Sequence, residues 1–254
     1  MPITLNPSDG DTRKFKVAAI QAEPVWLDLQ GGVEKTIRII REAAGAGAKI
    51  IGFPEVFIPG YPWTPWANNF VDSQPVLKEY QANSLAVHSP EMDRIREVVK
   101  ENEVNVVLGF AERDGASLYI AQVTITQDGN IANHRRKIKI FVGGWWPAFP
   151  VGQGGSPYIV SGEASSRMTQ SVAMEGGCFG LACCQVVSEA GAEKMKMTGF
   201  PWFKFPGGGF SVVYGPDGGA LTPPVDPGEE AIVYATISLD KINEVKLVAD
   251  TMGN

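Results

Sequence analysis

Gly47-Ala48-Lys49-Ile50-Ile51-Gly52-Phe53-Pro54-Glu55-Val56-Phe57-Ile58-Pro59-Gly60-Tyr61-Pro62 is the stretch from which the fold of this chain is read. Lys49 to Phe53 reads as a short strand covered on both faces, because apolar residues follow one another instead of alternating. It delivers one carboxylate, Glu55, into a loop stiffened by Pro54, Pro59 and Pro62. By position alone, a Glu after a Pro at a strand end is a solvated loop residue. At the edge of an apolar core, burial instead raises a carboxyl pKa toward that of a working base.

Working outward toward the N-terminus, Phe15 to Gln21 is a first apolar strand. Asp28 is placed to cap a helix, with Leu29, Val33, Ile37, Ile40 and Ala44 on one face and Gly45 and Gly47 as its stop. Phe15 to Phe53 is then a strand–helix–strand unit, which makes neighbouring parallel strands.

Toward the C-terminus, Tyr61, Trp63, Trp66 and Phe70 crowd one loop. It reads either as a lid over exposed core or as a substrate-pocket wall. Val76 to Val87 is expected to be helical. Ser89 caps a further helix with Pro90 first and Met92, Ile95, Val98 and Val99 inward. Val104 to Phe110 is the third strand. Leu118 to Thr126 and Ile131 to Ile138 form a hairpin around Asp128-Gly129. That order suits a mixed-sheet α/β sandwich better than a barrel.

At 254 residues, with 44% hydrophobic residues, the chain has enough apolar content for one large core. Its 22 basic and 28 acidic residues, a net charge of −6, give no global attraction to nucleic acid or to an anionic membrane surface. Met1 to Lys16 lacks the apolar centre of a secretory signal, and Ile140 to Gly152 is too short and too broken to span a bilayer. The three cysteines, Cys178, Cys183 and Cys184, are odd in number and offer no disulfide framework, so a reducing cytoplasm is expected. No repeat or domain boundary is visible. Residues 15–254 are read as one domain and 1–14 as an N-terminal extension.

The block around Glu55 resembles the glutamate signature of the carbon–nitrogen hydrolase superfamily, and Glu-Val-Phe-Ile-Pro-Gly-Tyr-Pro is similar to its nitrilase branch. A second resemblance lies in His134-Arg135-Arg136-Lys137-Ile138-Lys139. On charge alone this is a solvated basic edge. By resemblance Lys137 is the catalytic lysine, whose ammonium holds the negative charge that develops as a nitrile is attacked. The resemblance implies an α-β-β-α sandwich, no metal and no organic cofactor. It also implies assembly into dimers or spirals, and a pocket that includes Tyr61, Trp63, Trp146 and Pro147.

Two parts of that pattern are absent. The chain contains no Cys-Trp-Glu nucleophile turn, and no Pro-Thr followed by Glu after Lys139. Instead Ile140 to Pro150 begins at once, similar to the strand and pocket loop that the family places one helix after the nucleophile. The expectation is an internal deletion at Lys139–Ile140 of a strand–helix–strand unit, roughly 30 residues or more. It would leave Ile131 to Val142 as one run. The C-terminus at Asn254 is also expected to be short. Cys183 and Cys184 are weak candidates for a substitute nucleophile. Otherwise they serve as small buried hydrophobes.

The implied chemistry is hydrolysis of a nitrile to acid and ammonia through a cysteine thioimidate, with Glu55 as general base and Lys137 as stabiliser. Two rival readings stay open. Cyanide hydratase, cyanide dihydratase and amidase belong to the same superfamily. A catalytically inactive chain would act as a ligand-binding or oligomer-partner protein, or be an incomplete gene product.

Overall fold

The computed structural model describes residues 13–136, 143–145, 157–199 and 206–248. Its larger sheet is mixed and six-stranded: β1 (Lys14–Gln21), β2 (Ala48–Gly52), β3 (Asn105–Asp114), β4 (Ser117–Ile125), β5 (Ile131–Arg136) and β9 (Ala231–Ser238), in the order β5-β4-β3-β2-β1-β9. β1, β2 and β3 run parallel, as the strand–helix–strand reading requires, and antiparallel strands extend both edges.

Helices α1 (Leu29–Gly45) and α4 (Pro90–Glu101) cover one face of this sheet. Both begin on the expected caps: Asp28 Oδ1 accepts from the Gly31 amide at 2.9 Å, and Ser89 Oγ from the Met92 amide at 3.2 Å. Each cap satisfies an amide that the helix cannot. Val33, Ile37 and Ile40 of α1 and Met92, Ile95, Val98 and Val99 of α4 pack on Ala18, Ile20, Ile51, Leu108, Phe110, Val123 and Ile125.

On the other face lies a three-stranded sheet, β6 (Gly143–Trp145), β7 (Gly180–Cys184) and β8 (Val212–Tyr214), in the order β6-β7-β8. Leu181, Cys183 and Val213 meet Val17, Ala19, Val233, Ala235 and Ile237 in a second core. Helix α5 (Gly162–Gly176) lies outside this sheet, with Ala173 against Ala182, Val212 and Tyr214. The layers are therefore helix, sheet, sheet, helix, the α-β-β-α sandwich implied by the resemblance. On β4, Ala121, Val123 and Ile125 are buried against the helices, whereas the alternate residues Ile120, Gln122 and Thr124 are only partly covered.

Several expectations need correction. Helix α3 spans Phe70–Ala82, not Val76 to Val87, after the short α2 (Thr64–Ala67). Asn69 Oδ1 caps α3, accepting from the Asp72 amide at 3.0 Å, and Leu85 leaves the helix to bridge Glu112. A partner strand overrides local helix propensity there. Of the expected run Ile131 to Val142, residues 137–142 lie outside the described residues; β5 (Ile131–Arg136) lies on the edge of the larger sheet, and β6 (Gly143–Trp145), which follows, belongs to the other. The ladder between β3 and β4 was also unexpected, although Asp114-Gly115 carries the same turn signal as Asp128-Gly129. Helix α6 (Glu189–Lys194) follows β7, and α7 (Asp240–Val248) closes the described chain.

Candidate active site

Glu55 stands at the apex of a bulge. The Phe53 amide donates to Val107 O at 2.9 Å, and the Phe57 amide to Gly109 O at 2.8 Å, so the chain advances four residues while β3 advances two. Pro54, Glu55 and Val56 are expelled from the ladder and lie over Gly109, before Ile58 resumes pairing with Phe110. Such a bulge re-aims a side chain. It fits only because position 109 has no side chain: a Cβ there would lie 2.5 Å from Pro54 O and 2.9 Å from Glu55 Cα. Val56 sits at φ +52°, a strained conformation for a β-branched residue.

The Glu55 residue is only 9% exposed, so it is not a solvated loop residue. Tyr61 and Tyr80 stand close enough to feel its charge. Burial first, and the Glu55 carboxylate second, push the Tyr61 phenol up to about 12. Tyr80 is raised well above its ordinary value by burial, then by Tyr61 and Glu55. Tyr80 donates its hydroxyl proton to Gly60 O at 3.0 Å, and the Tyr61 and Trp63 rings lie 4.7 Å apart. Trp63, Val56, Val76, Tyr80 and Met195 share one apolar cluster, with Tyr61 packed against it. Tyr61 and Trp63 thus cover core near Glu55.

From the second sheet, Gln185 reaches across to the bulge. Its Nε2 donates to Glu55 O at 2.5 Å and to Val56 O at 3.1 Å. Nothing in the local sequence marks Gln185; only the packing of β7 toward the Glu55 turn brings it there.

Lys137, Trp146 and Pro147 lie outside the described residues, but the strand leading to Lys137 is fixed. Glu112, buried on β3, accepts from His134 Nε2 at 2.9 Å and from Arg136 Nε and Nη2 at 3.0 and 2.8 Å. Burial favours its neutral form, yet these hydrogen bonds and the charges of both partners outweigh that and hold the carboxyl below its usual range. Arg136 also pairs with Asp114 and lies 4.0 Å over the Tyr119 ring. His134 and Arg136 share one strand face, a spacing of two that could have flagged the network; Glu112 itself carried no signal.

Cys183 is fully buried between the sheets and donates to Gly52 O at 3.2 Å; burial, its main cause, pushes the thiol up to about 12. Cys184 is 2% exposed. Neither environment favours an accessible thiolate. Among the described residues, no three His, Cys, Asp or Glu side chains are grouped to hold a metal ion. An open depression of about 390 Å³ beside α5, lined by Glu163, Ser166, Arg167, Gln170, Phe210 and Tyr214 among others, does not include Glu55.

A helix–sheet–sheet–helix sandwich with a buried Glu on a bulge after its second strand defines a class, and the comparisons agree. The carbon-nitrogen hydrolase family pattern matches residues 16–166 and 161–247, and this chain belongs to that family. Its relatives are of the nitrilase branch. It is 67% identical to a cyanide hydratase of Armillaria gallica, over all of this chain and 86% of that protein. It is 40% identical to a nitrilase of Talaromyces marneffei, over 94% of this chain and 91% of that one. The first alignment runs over 305 residues, 51 more than the 254 of this chain, in keeping with a shortened chain. In fold, it resembles the NitFhit protein of C. elegans (TM-score 0.65, 13% identity, covering 96% of this chain and 66% of that one). It likewise resembles XC1258 of Xanthomonas campestris (TM-score 0.62, 14% identity, 94% and 96%).

Proposed function

We propose that this chain, a hydrolase of the nitrilase branch by family, keeps the proton-handling half of a nitrile site and has lost the nucleophile. It therefore binds hydrogen cyanide or a small nitrile without the covalent step. Glu55 is the base and Lys137 the stabilising cation of that site. In the intact chemistry a thiol gives its proton to the carboxylate while sulfur adds to the nitrile carbon. Charge collects on nitrogen beside the ammonium as the thioimidate forms; water added to its carbon releases either an amide, with return of the thiol, or ammonia, leaving a thioester that a second water hydrolyses to the acid and the free thiol. The observation that carries the reading is Glu55, buried on a rigid bulge beside Tyr61. A carboxyl group held there, largely out of water, is positioned to act as a general base on a ligand beside Tyr61.

Register adds to this. Gly109, Gln122 and Arg135 lie across from one another, on the sheet face crossed by the Glu55 bulge. The nearness of a cyanide hydratase among the relatives favours cyanide as the ligand. The raised thiol of Cys183 supports the loss of turnover.

The test is incubation of purified protein with cyanide and with a small aliphatic nitrile, scoring formamide, carboxylic acid and ammonia, alongside binding measured by nuclear magnetic resonance. The expected result is binding that Glu55→Gln weakens, with no product. Product formation abolished by Glu55→Gln would show that the chain is a working enzyme and overturn the inactive reading. Binding unaffected by Glu55→Gln would remove Glu55 from the site.

A further inference from the structure

We propose that Gln185, at the end of β7, is the positioning residue for Glu55, fixing the carboxylate-bearing bulge from the opposite sheet. This deepens the reading of Glu55 as the base and rests on it for its functional meaning. The argument begins with backbone groups. Expelling Pro54 to Val56 from the ladder leaves the carbonyls of the bulge without strand partners in a region that excludes water, where an unmet acceptor is costly. Both carbonyls are met by one amide group, Gln185 Nε2, at 2.5 and 3.1 Å, and Val56 O also accepts from the Gly60 amide at 3.0 Å.

Gln185 is 0% exposed, and its own backbone is held by the bridge to Ala22. The link joins residues 130 positions apart in sequence and ties the end of the β1–β2 unit to the end of β7. Among the described residues Gln185 Oε1, itself buried, has no hydrogen-bond partner, so the two donated bonds of Nε2 are what orient the amide. A purely space-filling role would not orient the amide this way. Without those donors the carbonyls of Glu55 and Val56 lose their tie to the opposite sheet, and the strained Val56 is held by its own side of the bulge, through the Gly60 amide and the contact with Gly109.

The test compares wild type, Gln185→Met and Gln185→Glu, and none of its readouts needs turnover. In wild type, the Gln185 side-chain amide protons should exchange at least tenfold more slowly than those of an exposed glutamine; free-amide exchange would overturn the proposal. In Gln185→Met, protection of the Phe57 and Gly60 amides should fall roughly tenfold, the equivalent of one lost donor. The ¹³C signal of the Glu55 carboxyl should move, while the amides of β3 keep their protection. Unchanged protection and an unmoved Glu55 signal would refute it.

Gln185→Glu separates positioning from packing. Its protonated acid can still donate to one carbonyl and its carboxylate cannot, so burial against two carbonyls raises its folded pKa. Its stabilising effect is therefore present at low pH and lost as pH rises through that value. Protection of Phe57 and Gly60 should be restored at pH 6 relative to pH 8.5, both away from the isoelectric point near 5.1, and should show no such restoration in Gln185→Met. A pH-independent Gln185→Glu would count against the proposal. If Gln185→Met does not fold, the wild-type exchange rate and the Gln185→Glu pair decide the matter. Gln185 variants that move the Glu55 signal, combined with ligand binding indifferent to Glu55→Gln, would support positioning and overturn only the role given to Glu55.

Discussion

Replacing Gly109 with Ala tests the construction of the site more directly than any change to Glu55 itself. The added methyl group meets three backbone atoms, Pro54 O at 2.5 Å, Glu55 Cα at 2.9 Å and Val56 N at 3.1 Å. None belongs to a flexible side chain, and an ordinary carbon contact is about 3.5–4.0 Å. The bulge must therefore retreat by about 1 Å, or β3 must bend in the middle of the larger sheet. Overpacking of this kind costs about 1–3 kcal/mol. Retreat also stretches the Phe57 amide bond to Gly109 O, worth about 1 kcal/mol. Against this, Ala gains roughly 0.5–1 kcal/mol over Gly from lower backbone entropy in the unfolded chain. The net expectation is a loss of about 2–3 kcal/mol, or a fall in Tm of about 5–10 °C for a chain of this size. Urea unfolding followed by circular dichroism measures it. Gly45→Ala is the control: nothing stands within 4 Å of its would-be Cβ at the end of α1, so it should be neutral or slightly stabilising. Gly109→Ala within about 0.5 kcal/mol of wild type would refute the claim that this glycine makes room for the carboxylate.

Two further outcomes follow from the structure. The depressed Glu112 carboxyl contributes stability that is fully present above its unfolded pKa and disappears as pH falls through its folded one. Glu112→Gln should therefore cost about 2 kcal/mol at pH 8, held to that size because Arg136 is 38% exposed, and the gap to wild type should narrow as pH falls through and below the usual carboxylate range; a gap constant with pH, in urea titrations at each pH, would refute it. Cys178 is partly exposed and Cys183 fully buried. A thiol reagent at pH 8 should modify Cys178 on the native protein and reach Cys183 only on unfolding, read by peptide mass spectrometry. Prompt labelling of Cys183 would reopen it as a nucleophile.

What the amino-acid order determined by itself was local or periodic. Asp28 and Ser89 cap helices because a side-chain oxygen two or three residues from an unmet amide needs no tertiary help. The faces of α1 and α4 followed from a spacing of three and four, and the parallel pairing of β1 with β2 from the helix between them. The family block around Glu55 also stood in plain view, as did the absence of Cys-Trp-Glu.

Tertiary structure decided whatever depends on residues far apart. Leu85 lies outside α3 because β3 offered it a partner, and β5 and β6, successive in the chain, join different sheets. No periodicity could show that the Glu55 carbonyl is met by Gln185, or that Gly109 must lack a Cβ for the bulge to lie down. A hydrogen bond across 130 residues leaves no trace in spacing, since loop closure between distant segments depends on the whole fold. The carboxylate was legible from the chain; the cradle that holds it exists only once both sheets have packed.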